Sequence, residues 1–163
     1  MKSFWWLYIV IPLVLVGMGF GSAYLTNSGN TNTWYKNLNQ APWTPPSIVF
    51  SVVWALLYVL MGIVLAKSVI KIHDKQLGRT VDHVMLSTFC VLLACILAWP
   101  FVYFLGKSQV GGIALLGMVV ALGLAYVIMA GVTKQWVEMG CALPLVLWAG
   151  FATSLAIYPS LHK

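Results

Sequence analysis

The sequence predicts an all-α membrane protein, a single domain over residues 1–163 built as a five-transmembrane-helix bundle. Three observations carry that prediction. The chain is 61% hydrophobic and only 7% charged, against roughly 45–50% and 25% in soluble domains. Five apolar stretches are each close to the roughly 20 residues a helix needs to cross a hydrocarbon core about 30 Å thick. The charges fall almost wholly between those stretches or at the termini. In lipid such runs must be helical, because no lipid-facing backbone N–H or C=O can go unpaired.

The first span covers residues 4–25. Lys2, the apolar run and the small residues Gly21, Ser22 and Ala23 loosely match a cleaved signal peptide. The run is longer than a typical signal core, so it is expected to persist as a span. A polar stretch, 26–47, follows, rich in Asn, Thr and Pro but also holding Trp34, Tyr35 and Trp43. Those aromatics suit either the membrane interface or a lid folded over something between the helices. Pro45 and Pro46 stand where the second helix begins, a position that tolerates proline because its missing N–H would be unpaired there anyway.

The second span, 48–66, carries Phe50, Trp54 and Tyr58 at four-residue intervals, which puts them on one stripe. Residues 67–83 read as a solvated cytoplasmic loop with no site in it, and His73 and His83 as surface residues. In the third span, 84–105, Ile96, Trp99 and Tyr103 share a face. The fourth covers 110–132. The fifth, 137–158, begins beside Glu138 and puts Pro144, Trp148, Phe151 or Ala152, and Leu155 on one side. Short connections between the last three spans make them antiparallel neighbours.

Small residues recur at helical spacing: Gly17 and Gly21; Cys90, Ala94 and Ala98; Gly117, Ala121 and Ala125. This pattern lets backbones approach closely in lipid, inside one bundle or at a dimer seam such as Ala94 and Ala98. Cys90 and Cys95 point in different directions on a helix. With Cys141 they read as packing residues.

Phe4, Trp5, Trp6, Tyr8 and Trp136 fit interfacial belts. Lys2, Lys67, Lys71, Lys75, Arg79 and Lys134 fall on one side, and Lys36, Lys107 and Lys163 on the other. The positive-inside rule then places the N-terminus in the cytoplasm and the C-terminus outside. The net charge of +6 is therefore a topology signal, and no nucleic-acid partner is expected. No charge lies deep in a span, where coupled pumps place ionisable groups. The only acids, Asp74, Asp82 and Glu138, sit at loops or span ends, so acid–base or hydrolytic catalysis has nothing to run on. The aromatic faces fit tight interhelical packing, or a cavity for a flat apolar ligand that stacks on Trp and Tyr rings.

The segment Trp34-Tyr35, Leu38, Pro42-Trp43-Thr44-Pro45-Pro46, then Phe50, Trp54, Tyr58 and Met61-Gly62, resembles the tryptophan-rich sensory protein family, also called the translocator protein or peripheral benzodiazepine receptor family. Pro144, Leu147-Trp148 and Phe151-Ala152-Thr153 agree with it. The resemblance runs from about Trp34 to Leu155. It implies a five-helix bundle, usually a homodimer, that binds porphyrins, haem-related tetrapyrroles, sterols and synthetic isoquinoline-type ligands. No cofactor is required, since the tetrapyrrole enters as ligand. Carried over by position, Trp34, Tyr35, Trp43 and Pro45 in the loop 26–47 form a pocket lid, and Trp54, Tyr58, Trp99, Trp148 and Ala152 line the pocket. No catalytic residue and no metal site are implied.

The chain departs from the family at polar positions. Ile96 and Ala156 stand where the family often has Asn, and Leu145 where an aromatic follows the fifth-span proline. A drier pocket is expected. Leu155, Tyr158 and Lys163 formally match a loose sterol-recognition pattern. The leading expectation is a membrane receptor-like protein for porphyrin or sterol ligands in tetrapyrrole or stress sensing. Light-dependent porphyrin breakdown and sterol or porphyrin transport stand as alternatives. The lack of a long basic C-terminal tail points to a bacterial cell membrane.

Overall fold

A computed structural model describes residues 4–29, 32–74 and 80–162. All its regular structure is helical: α1 (Leu7–Leu25), α2 (Thr33–Lys36), α3 (Ser47–His73), α4 (Thr80–Pro100) continuing into a π-helical turn (Phe101–Leu105), α5 (Gln109–Val132) and α6 (Trp136–Leu161). Five of these segments, α4 taken with its π turn, are long and apolar enough to cross a membrane, as the sequence predicts. The protein is an integral membrane protein by that measure.

The long helices form a ring in the order α1, α3, α6, α5, α4, with α1 closing against α4 along the thinnest seam. One end of the ring holds the start of α1, the α5–α6 turn and the end of α3; we call it the base. The other carries the connection from α1 to α3 and forms a roof. Local chemistry sets the breaks. Pro46 caps α3 in an extended conformation. The Ser108 hydroxyl accepts from the Gly111 N–H (3.1 Å) and starts α5, satisfying one of its orphan donors. Lys107 and Lys134, at φ 51° and 58°, make the tight turns before α5 and α6.

Because lipid tails are as apolar as Leu, helices in a bilayer associate through close packing rather than through the hydrophobic effect. A close backbone approach joins α1 to α3, where Gly62 lies directly on the backbone of Pro12 and a Cβ would clash with it. This accounts for the Gly62 in the sequence signature. Gly19 likewise gives way to the ring of Tyr58. By contrast Gly17 and Gly117 have open space around them, and Cys90, Ala94, Ala98, Ala121 and Ala125 are exposed. Those small-residue rows face outward and do not pack the bundle. The base half is filled by Met61, Val64, Phe89 and Leu92, all essentially inaccessible.

The stretch 67–83, read from sequence as a loop, is corrected here. Helix α3 runs on to His73 and α4 starts at Thr80; Lys75 and Arg79 lie outside the described residues, as do Lys2 and Lys163. Buried ion pairing explains the extension. Glu138, only 2% exposed, accepts from Lys67 Nζ on one oxygen and from Lys71 Nζ on the other, both at 2.8 Å. Lys71 also donates to Gln135 (2.6 Å), whose amide donates to Asp82 (3.2 Å). Two successive turns of α3 are therefore bolted to α6, with α4 tied in. Phe4, expected inside the first span, precedes α1 and packs its ring on His73 at 4.3 Å.

Candidate functional site

The roof half of the ring encloses a cavity of about 390 Å³, within the usual range for small-molecule sites, roughly 300–1,000 Å³. Helix α3 supplies one wall. Its four-residue stripe brings Phe50, Trp54 and Tyr58 to the cavity in sequence, the last two rings 5.9 Å apart. Helix α6 supplies Leu155 and the small Ala152 and Ala156. Gly19, Ser22 and Ala23 of α1 close a third side.

The fourth wall depends on the π turn. Pro100 ends α4, and the Gly106 N–H then bonds back to the Phe101 carbonyl at 2.8 Å, a five-residue reach. Such an inserted residue is a recurrent feature of functional sites. Here it lets the adjacent residues Tyr103 and Phe104 both turn inward, at 2% and 6% exposure. Trp99 stacks on Tyr103 at 5.0 Å and 13°, while Phe104 stands edge-on to both. The result is a rigid aromatic panel, each pair adding about 0.5–1.5 kcal/mol beyond its buried area.

The roof is docked onto this panel. Asn32 caps the short helix α2 by accepting from the Tyr35 N–H at 3.1 Å. That helix sets Trp34 edge-on to Tyr103 (5.4 Å) and Tyr35 edge-on to Phe104 (5.4 Å). Burial pushes the Tyr35 phenol above its usual range. Further along, Trp43 stands edge-on to Tyr158, whose other neighbour is the stacked ring of His162 at 4.1 Å. The Asn39 amide donates to the His162 carbonyl at 2.9 Å. The roof is therefore fastened to the α4 and α6 side. On the α1 side it departs through Asn27 (φ 49°) and Gly29 (φ 87°).

Of the residues singled out from sequence, Tyr35, Pro45, Trp54, Tyr58, Trp99 and Ala152 line the cavity. Trp34 and Trp43 belong to the roof but pack on Tyr103 and Tyr158 without lining the cavity. Trp148 packs outside the cavity, edge-on to Phe50 at 5.5 Å and beside Phe151 at 5.3 Å. Tyr103, placed from sequence on one face with Ile96 and Trp99 but not assigned to the pocket, also lines the cavity, as do Phe104 and the α1 residues, which the sequence reading did not single out. A 3.6-residue period cannot place two consecutive residues on one face, so Phe104 was invisible to it; Pro100 was the available signal.

No charged side chain lines the cavity among the described residues. Ser22, Ser28, Thr44, Ser47 and Ser51 and the phenols of Tyr35, Tyr58 and Tyr103 supply hydroxyls; Ser22 already donates to the Gly19 carbonyl and Ser51 to that of Ser47. The indole N–H groups of Trp99 and Trp148 are buried without an acceptor. Each adjoins an aromatic ring at a steep angle, Trp99 beside Phe104 and Trp148 beside Phe50. No His, Cys or Met lines the space among the described residues, whereas Tyr35, Tyr58 and Tyr103 do. No group of three or more His, Cys, Asp or Glu suited to a metal occurs among the described residues.

A family model described as TspO/MBR family matches residues 9–160. The chain is 28% identical over 149 residues to a tryptophan-rich protein TspO of Archaeoglobus fulgidus, covering 90% of this chain and 91% of that protein. It is 25% identical over 122 residues to the protein CrtK of Rhodobacter capsulatus, covering 75% and 73% respectively.

Proposed function

Because the chain belongs to the TspO/MBR family, we propose that it is a membrane receptor-like protein that binds a porphyrin-type tetrapyrrole in the roof-half cavity, with the loop 26–47 as its lid. The carrying observation is the aromatic lining: Trp54 and Tyr58 on one wall face Trp99, Tyr103 and Phe104 on another. Flat conjugated rings gain most from such surfaces. The packed base half supports holding a ligand rather than passing it through, since Met61, Val64, Phe89 and Leu92 are almost fully buried there and the base cavity beside Lys71 and Gln135 measures only about 10 Å³.

In this reading the base faces the cytoplasm, because Lys67, Lys71 and Lys134 cluster there while the roof carries Lys36 and Lys107. Two copies would pair along the exposed row Cys90, Ala94 and Ala98 of α4. A second reading, a neutral sterol-like ligand, is favoured by the uncharged lining and by Ile96 and Ala156, which leave those walls without an amide.

The test is a dark titration of the purified protein in non-ionic detergent with protoporphyrin IX, following Trp quenching and the Soret shift. Saturable binding lost on Trp54→Ala supports the tetrapyrrole. Quenching that neither saturates nor responds to the substitution refutes it, and competition by a sterol would then favour the second reading.

A further inference from the structure

All three acidic residues of the chain, Asp74, Asp82 and Glu138, lie at the base. The roof end contains no carboxylate side chain. Its described cations are Lys36 and Lys107, both exposed. Each adjoins the cavity wall in the chain. Lys36 follows the lining residue Tyr35, and Lys107 follows the π turn that delivers Tyr103 and Phe104. The contacts of Trp34 and Tyr35 with that turn hold α2 beside it. The space within is uncharged.

This segregation separates two parts of a ligand. An ionised carboxylate inside the cavity would meet no counter-charge and would lose its hydration, a cost that buried charges escape only by pairing. At the roof it keeps water and meets no opposing side-chain carboxylate.

On the tetrapyrrole reading above, we propose that Lys36 and Lys107 form a cationic rim that selects amphiphiles with an acidic end. The flat apolar body lies in the aromatic cavity and the carboxylates stay outside at the roof. The lysines also raise the capture rate of anionic ligands, as fields of one sign around a cleft do. Because both are exposed, the preference is modest and screened by salt.

The experiment titrates the full-length protein in non-ionic detergent with protoporphyrin IX, a dicarboxylate, and with its dimethyl ester. Proteins are the parent, the double variant Lys36→Gln with Lys107→Gln, and Lys134→Gln, an exposed base lysine whose backbone is left-handed like that of Lys107. Comparing diacid-to-ester affinity ratios between proteins cancels partition into the micelle.

At about 20 mM salt the parent is expected to favour the diacid three- to tenfold more than the double variant does, as about 0.7–1.4 kcal/mol from two exposed charges allows. Lys134→Gln keeps the parental ratio, and salt near 0.5 M erases the difference. A ratio unchanged in the double variant, with the ester still bound, overturns the rim and leaves the tetrapyrrole reading standing. Equal weakening of acid and ester assigns the lysines to roof structure and also overturns it. Failure of both macrocycles to bind the parent overturns the tetrapyrrole reading, and the rim with it.

Discussion

Replacing Glu138 with Gln tests the base clamp. The substitution conserves shape and removes one negative charge. It removes the carboxylate to which Lys67 and Lys71 each donate, on separate oxygens, at 2.8 Å. Breaking a fully buried pair by removing one partner costs about 3–5 kcal/mol, whereas an exposed pair contributes only about 0.2–1 kcal/mol. Here the acid is buried, with its side chain 3% exposed, while the lysines keep 31% and 25% of theirs. The ammoniums can recover part of their hydration, so the cost falls between those limits, at about 2–3 kcal/mol, or roughly a 30- to 150-fold change in the folding equilibrium. Reversible denaturation in mixed SDS and non-ionic micelles, followed by Trp fluorescence, measures it. The triple variant Lys67→Met, Lys71→Met, Glu138→Leu should recover most of the loss, because well-packed apolar groups commonly replace a buried ion triad without penalty. Ligand affinity at the roof should change less than about twofold, since α3 contributes to the two regions on different turns. If Glu138→Gln unfolds within about 0.5 kcal/mol of the parent, the clamp is no more than a surface contact and its role in extending α3 falls.

Trp54→Ala and Trp148→Ala should separate binding from packing. The first, which strips a cavity wall, should weaken tetrapyrrole binding by about 2 kcal/mol; the second should cost about 2–3 kcal/mol in denaturation while shifting affinity less than threefold. Equal effects of both on affinity would contradict the placement of Trp148 outside the cavity. Gly62→Ala should cost about 1–3 kcal/mol in the same denaturation assay, because the clashing partner is the Pro12 backbone and not a side chain that can turn away. Raising pH should release the roof. Burial raises the Tyr35 phenol above its ordinary value near 10, so the undocked loop loses its proton first; docking is constant below about pH 10 and weakens from there up to the folded pKa. Trp34 fluorescence in a background of Trp→Phe substitutions would report it, and a docked signal that begins to fall near pH 7 would exclude Tyr35 as the cause.

Much of this architecture was legible before any coordinates. An apolar run of about 20 residues has one solution in lipid, so span number and helical class followed from hydropathy alone. The stripe Phe50, Trp54 and Tyr58 followed from helical period in the same way and lines the cavity as one row. Tertiary structure decided what periodicity does not encode. The Cys90, Ala94 and Ala98 row has the spacing of a packing face yet is exposed, because which side of an evenly apolar helix turns inward depends on its neighbours. Trp148 shares a face with Ala152 on α6, but Phe50 intervenes between it and the cavity. Tyr103 and Phe104 reach the cavity together only because a π turn after Pro100 breaks the 3.6-residue rule. Lys67 and Lys71 looked like loop charges because their partner, Glu138, lies 71 and 67 positions away. Hydropathy is a sum over neighbours in sequence; a salt bridge, an orphaned indole and a cavity are relations between neighbours in space, and only the folded ring brings them together.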